Sequence, residues 1–135
     1  MLRIELQELP PAEYAVNRSH GRSHWYKKKA RLEALNVVGV ALNEAGWDHG
    51  APIEKAHVKV LFYLPTKVKR DHGSLVERMK PIWDALTEPT YFKSGEIQKD
   101  GYGVLKDDDL NCIGFPEYKY EYRPRKPGTI IEVAP

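Results

Sequence analysis

A chain of 135 residues with 41% apolar and 30% charged side chains can bury one core without staples and reads as a single domain, 1–135. Its one cysteine, Cys112, excludes an internal disulfide framework and a multi-cysteine zinc site, and it fits a reducing, cytoplasmic compartment. A formal net charge of +2 says little. However, twelve of the 21 Lys and Arg fall in segments 18–31, 67–70 and 123–126, the first of them without Asp or Glu, as in a phosphate footprint or a solvated basic face.

Residues 2–9 alternate Leu2, Ile4 and Leu6 with Arg3, Glu5 and Gln7, which predicts a half-buried strand ended by Pro10-Pro11. This opening has no apolar signal-peptide core. The longest apolar run, Val58–Leu64 with Lys59 inside it, is too short to span a membrane. Residues 12–26 are polar and irregular. From Lys27 to Ala45, Leu32, Leu35, Val38 and Leu42 recur at helical spacing, and Gly46 stands where a C-cap glycine belongs. Residues 56–64 return to period two and end at Pro65, and a basic turn, 66–70, leads to Asp71. Ser74-Leu75-Val76-Glu77 is a capping box that predicts a helix start at Ser74, with Leu75, Met79, Ile82 and Leu86 as the apolar stripe and a kink at Pro81.

Residues 89–106, rich in Gly and Lys, read as a long loop, and 107–112 as a short turn. Tyr118, Tyr120 and Tyr122 alternate with Lys119, Glu121 and Arg123 as a strand, and Thr129–Val133 forms the last one after Gly128. The order β-α-β-α-β-β predicts an α/β (α+β) domain in which a mixed sheet carries two helices.

Asp71 sits between a strand and a helix start. Glu77, Lys80 and Asp84, at i, i+3 and i+7, share a helix face opposite the apolar stripe, where they form either a site or a solvated set of ion pairs. Three adjacent carboxylates, Asp107-Asp108-Asp109, repel one another unless they are solvated, cap a turn or are neutralised by a cation. Mg²⁺ or Mn²⁺ takes such oxygen ligands, a few carboxylates per ion. Carboxylates converging from separate segments, with a lysine to stabilise phosphate charge, suit metal-assisted phosphoryl transfer. His20 and His24 lack the context of a metal motif, no Gly-rich phosphate loop points to a small-molecule cofactor, and no nucleophile elbow or Ser/His/Asp arrangement points to nucleophilic catalysis. Trp25 and Tyr26, inside the basic stretch, suit base stacking or core packing.

The ordered set Arg70-Asp71, Ser74-Leu75, Lys80, Asp84-Ala85-Leu86 and Leu105-Lys106-Asp107-Asp108-Asp109, preceded by Asn17-Arg18 and His24-Trp25, resembles RusA-type Holliday-junction resolvases, especially their phage-borne relatives. The resemblance covers most of the chain. It implies a homodimer that binds branched DNA, four-way junctions above all, and nicks it with Mg²⁺ or Mn²⁺. It implies Asp71, Lys80, Asp84 and Asp108 as catalytic residues, and Asp71 with Asp108, or Asp109 one register on, as metal ligands. The basic residues Arg18, Arg22, Lys27, Lys28, Lys29, Lys67, Lys69 and Arg70 would contact DNA. One departure stands out. Gly73 and Ser74 replace the family's second aspartate and an asparagine, so a junction-binding protein that no longer cleaves is the alternative.

Overall fold

A computed structural model describes residues 1–11, 24–68, 70 and 72–135. Four strands, β1 (Leu2–Leu6), β2 (His57–Leu64), β5 (Glu117–Tyr122) and β6 (Gly128–Ala134), form one sheet in the order β1-β6-β2-β5. The β1–β6 and β6–β2 pairs are antiparallel and β2–β5 is parallel, so the sheet is mixed, as the sequence predicts. Register assigns the two faces. Ile4, Ile131, Val60 and Tyr118 share one row, and Arg3, Glu132, Lys59 and Glu117 share a row on the other face. The first face is apolar and buried toward the helices. The second carries this charge-alternating row toward solvent, as in a sheet covered by helices on one side, with Ile130 buried beside it.

Helix α1 (His24–Glu44) covers the apolar face. Its buried stripe is Ala30, Ala34, Val38, Ala41 and Leu42, which corrects the stripe expected from sequence. Leu32 is 58% exposed and Leu35 only partly buried, because small alanines let the helix lie close against its neighbours and turn the leucines toward a cleft. The helix ends as expected. Gly46 adopts φ +71°, its N–H donates to the Asn43 carbonyl and Trp47 N–H donates to that of Leu42, the paired bonds of a Schellman end.

The second helical arm is divided, which corrects the single kinked helix starting at Ser74. It comprises α2 (His72–Glu77) and α3 (Lys80–Leu86), broken at Arg78-Met79. Pro81 has no N–H to continue the ladder and instead occupies the first turn of α3, where proline is tolerated. Arg78 anchors the break, donating from Nε and Nη2 to the Pro10 carbonyl at 3.0 and 2.7 Å. Residues 89–106 are not a featureless loop. They contain a hairpin, β3 (Thr90–Tyr91) and β4 (Ile97–Lys99), that turns at Gly95 with φ +90°, a conformation glycine adopts without strain. No described helix is long and apolar enough to cross a membrane.

Candidate active site

Helix α3 and the segment that follows the hairpin build the site together. Residues 102–105 cross the C-terminal end of α3, where the N–H groups of Tyr102, Gly103, Val104 and Leu105 donate to the carbonyls of Ala85, Thr87, Leu86 and Leu86 respectively. A helix end leaves these acceptors without intrahelical donors, so the crossing strand satisfies them and is held by them. Lys106 N–H then donates to the Ile53 carbonyl. The chain is thus fixed on both sides before it reaches the aspartate run.

The three aspartates diverge in use. Asp107 Oδ1 accepts the Asp108 N–H at 2.7 Å, and Asp109 Oδ1 accepts the Cys112 N–H at 2.9 Å, so both cap their own turn. Asp108 faces α3, where its Oδ2 lies 3.2 Å from Lys80 Nζ. Lys80 also pairs with Asp84 Oδ1 at 3.1 Å, one helical turn on, and Lys99 from β4 reaches the same oxygen at 3.3 Å. Glu77 lies on α2, beyond the break from Lys80 and Asp84. Asp84 is not on a solvated face either: it is 3% exposed.

Electrostatics follow from this packing. Partial burial works against charge on Lys80, but the Asp84 and Asp108 carboxylates outweigh it and raise its pKa above the ordinary lysine value of 10.5. Burial likewise opposes ionisation of Asp108, yet Lys80 foremost, with Asp107 and Lys99, holds it below the ordinary 3.8. Both groups are therefore charged at neutral pH.

Sequence reasoning paired Lys80 with Asp84 and favoured Asp108, and the geometry brings these three together. It missed Lys99. The signal lay in Tyr91-Phe92 and Ile97 flanking Ser94-Gly95, a short hairpin pattern obscured by the surrounding lysines and glycines. Asp71, Arg18, Arg22 and Lys69 lie outside the described residues. Arg70 is turned back on its own loop, donating to the Thr66 carbonyl at 2.7 Å. Lys67 lies 5.5 Å from the centre of the Tyr122 ring, a cation–π distance, while Lys28 and Lys29 are exposed on α1. A cleft of about 520 Å³ joins that basic helix to Asp84, with Lys28, Arg31, Leu35, Phe92 and Lys99 in its walls.

In donor chemistry the residues fit a hard divalent cation. Asp108, the more open of the two carboxylates on Lys80, supplies only oxygens, and Mg²⁺ commonly takes one or two protein carboxylates and completes its shell with water and phosphate. Asp84 is enclosed and held by two lysines. Among the described residues no group of three possible ligands occurs. The formal charges of Asp84, Asp108, Lys80 and Lys99 cancel, so a dication needs further negative charge from Asp71 or from the substrate. Neither the protein-family models nor the curated proteins compared with the chain match it, and the likeness to the resolvases rests on the residues quoted above.

Proposed function

We propose that this protein is a metal-dependent, structure-selective DNA endonuclease that acts as a homodimer on four-way junctions and other branched DNA. One observation carries the proposal: Asp108 and Asp84, from separate segments, converge on Lys80. Asp71 and Asp108 would hold the Mg²⁺ or Mn²⁺, which when bound supplies an activated water and stabilises charge on the phosphate. Asp84, almost fully buried, is a positioning residue that holds the ammonium groups of Lys80 and of Lys99, the latter in the cleft wall. Lys80, half exposed at its side chain, exchanges a carboxylate contact for a phosphate oxygen and offsets negative charge as the phosphate becomes pentacovalent. Lys28 and Lys29 track the backbone leading to the cleft.

The test uses a synthetic four-way junction and a matched linear duplex with Mg²⁺ or Mn²⁺. Nicking confined to the junction is expected. Saturated binding without nicking under either metal rejects the enzyme. It would leave the second reading, a junction-binding protein on the same fold, which Gly73 at the position of the missing aspartate and the cancelled charge of the described cluster both favour.

A further inference from the structure

At the far edge of the sheet, strand β5 pairs with β2 on one side, and no described strand pairs with its other side. Arg123 N–H donates to the Leu64 carbonyl at 2.8 Å, so the odd-numbered residues of this strand turn their backbone groups toward β2. The backbone groups of Tyr118, Tyr120 and Tyr122 then point outward, by the alternation of a strand. Side chains show a matching gap. Tyr118 is half-buried, stacked on Phe62 at 6.1 Å. Tyr120 and Tyr122 lie on the same, helix-covered face, but they remain 62% and 42% exposed, set edge to face at 5.7 Å. Unpaired edges of this kind are templates for another strand unless they are guarded.

We propose that two copies of this chain pair antiparallel through β5, on a two-fold axis through Tyr120, to form one continuous eight-stranded sheet. The charges select this register. About Tyr120, Lys119 faces the partner's Glu121, Glu117 faces the partner's Arg123, and Tyr118 faces the partner's Tyr122. Shifting the axis to Lys119 sets Lys119 against itself and Glu117 against Glu121. Shifting it to Glu121 sets Glu121 against itself and Lys119 against Arg123. Like charges directly opposite each other are destabilising. Moving the axis to Tyr118 or Tyr122 instead brings Pro116 or Pro124, which cannot donate, opposite Tyr120. The two prolines lie at equal distance from Tyr120 and bound the window that can pair. The open face carries the same logic across the sheet: its row Arg3, Glu132, Lys59, Glu117 alternates in sign and is continued by the partner's Arg123.

This inference names the surface of the homodimer in the proposed function, and its test reads association, not cleavage. Sedimentation of the full chain over the micromolar range should show a monomer–dimer equilibrium. Lys119→Glu and Glu121→Lys, each placing like charges together twice, should each weaken association by about ten-fold or more. An equimolar mixture of the two variants should associate as a heterodimer, and the double variant K119E/E121K should regain self-association. Circular dichroism of each variant checks that it is folded, and the mixture makes a folding defect distinguishable from charge repulsion at the interface. A wild-type chain that stays monomeric, single variants as tight as wild type, or a mixture no tighter than its components would each overturn the interface. A dimer of this kind with no junction nicking leaves the interface standing and removes the enzyme.

Discussion

Of the three adjacent aspartates, Asp107 and Asp109 are occupied with the backbone that carries them, and Asp108 alone reaches across to another element. The variants D108N and D109A should therefore separate cleanly. D108N should lower junction nicking on the order of a hundred-fold or more, the scale of losing a charged group that acts on the transition state. D109A should keep its rate and lose about 1 kcal/mol of stability with the cap on Cys112. Nicking assays and urea unfolding on the two proteins check this. The same contact sets a pH dependence. The folded pKa of Asp108 is lowered, so its contribution to stability is present above the unfolded value and is lost as pH falls through the lowered one. The pKa of Lys80 is raised, and its contribution is lost only as pH rises past 10.5 and through that raised value. Unfolding measured against pH should show a gap between wild type and D108N at neutrality that closes below about pH 4. The gap should stay under about 1 kcal/mol, because Lys80 is half exposed and screened. At this scale the sequence was legible where chemistry depends on order, as in Lys80, Asp84 and the aspartate run. The resemblance favoured Asp108, but the residues alone could not separate it from Asp109, since which carboxylate turns back on its own turn is decided by how 102–106 packs on α3.

Elements explain how the site is held. After β4 the chain must pass tightly over the end of α3, and Gly101 marks that crossing. A β-carbon there would overlap the Thr87 carbonyl oxygen and lie 2.7 Å from that of Asp84. Backbone atoms cannot yield as a flexible side chain does, so Gly101→Ala should cost about 1–3 kcal/mol. It should also lower nicking, because it shifts Asp84 and Lys99 together. Denaturant unfolding alongside the nicking assay checks both effects. The strands were legible because their alternation is strong: β2 was found to within one residue. The helical arm was not. The capping box at Ser74 argues for one continuous helix while Pro81 argues against it, and the local cap signal carries no information about where the chain must break. The hairpin of β3 and β4 is too short for periodicity to reveal, and tertiary contact of Lys99 with Asp84 fixes it. The exposed Leu32 follows the same rule: spacing gives a helix, but which face is buried depends on how closely its alanines let it approach its neighbours.

The whole molecule divides into a sheet face with a charge-alternating row and a helical side on which α1 brings a basic N-terminal end to the cleft beside Asp84. Helix α1 has no acidic residue in its first turn and carries Lys27, Lys28 and Lys29 just inside it. The positive end of a helix dipole disfavours cations, by roughly 0.3–1 kcal/mol each near the terminus. The charge of Lys28 and Lys29, both exposed, therefore does not favour the helix, and an anionic partner such as a DNA backbone would offset its cost. Two measurements follow that move in opposite senses. Replacing Lys28 and Lys29 with glutamine should leave stability unchanged or raise it slightly. It should weaken junction binding and reduce the steepness of its dependence on salt, by about 0.9 in the log–log slope for each phosphate no longer neutralised. Thermal unfolding and binding titrations across a salt series on the same protein provide both readings. An unchanged salt slope would show that these lysines neutralise no DNA phosphates. A fall in stability with an unchanged slope would return these lysines to a structural role.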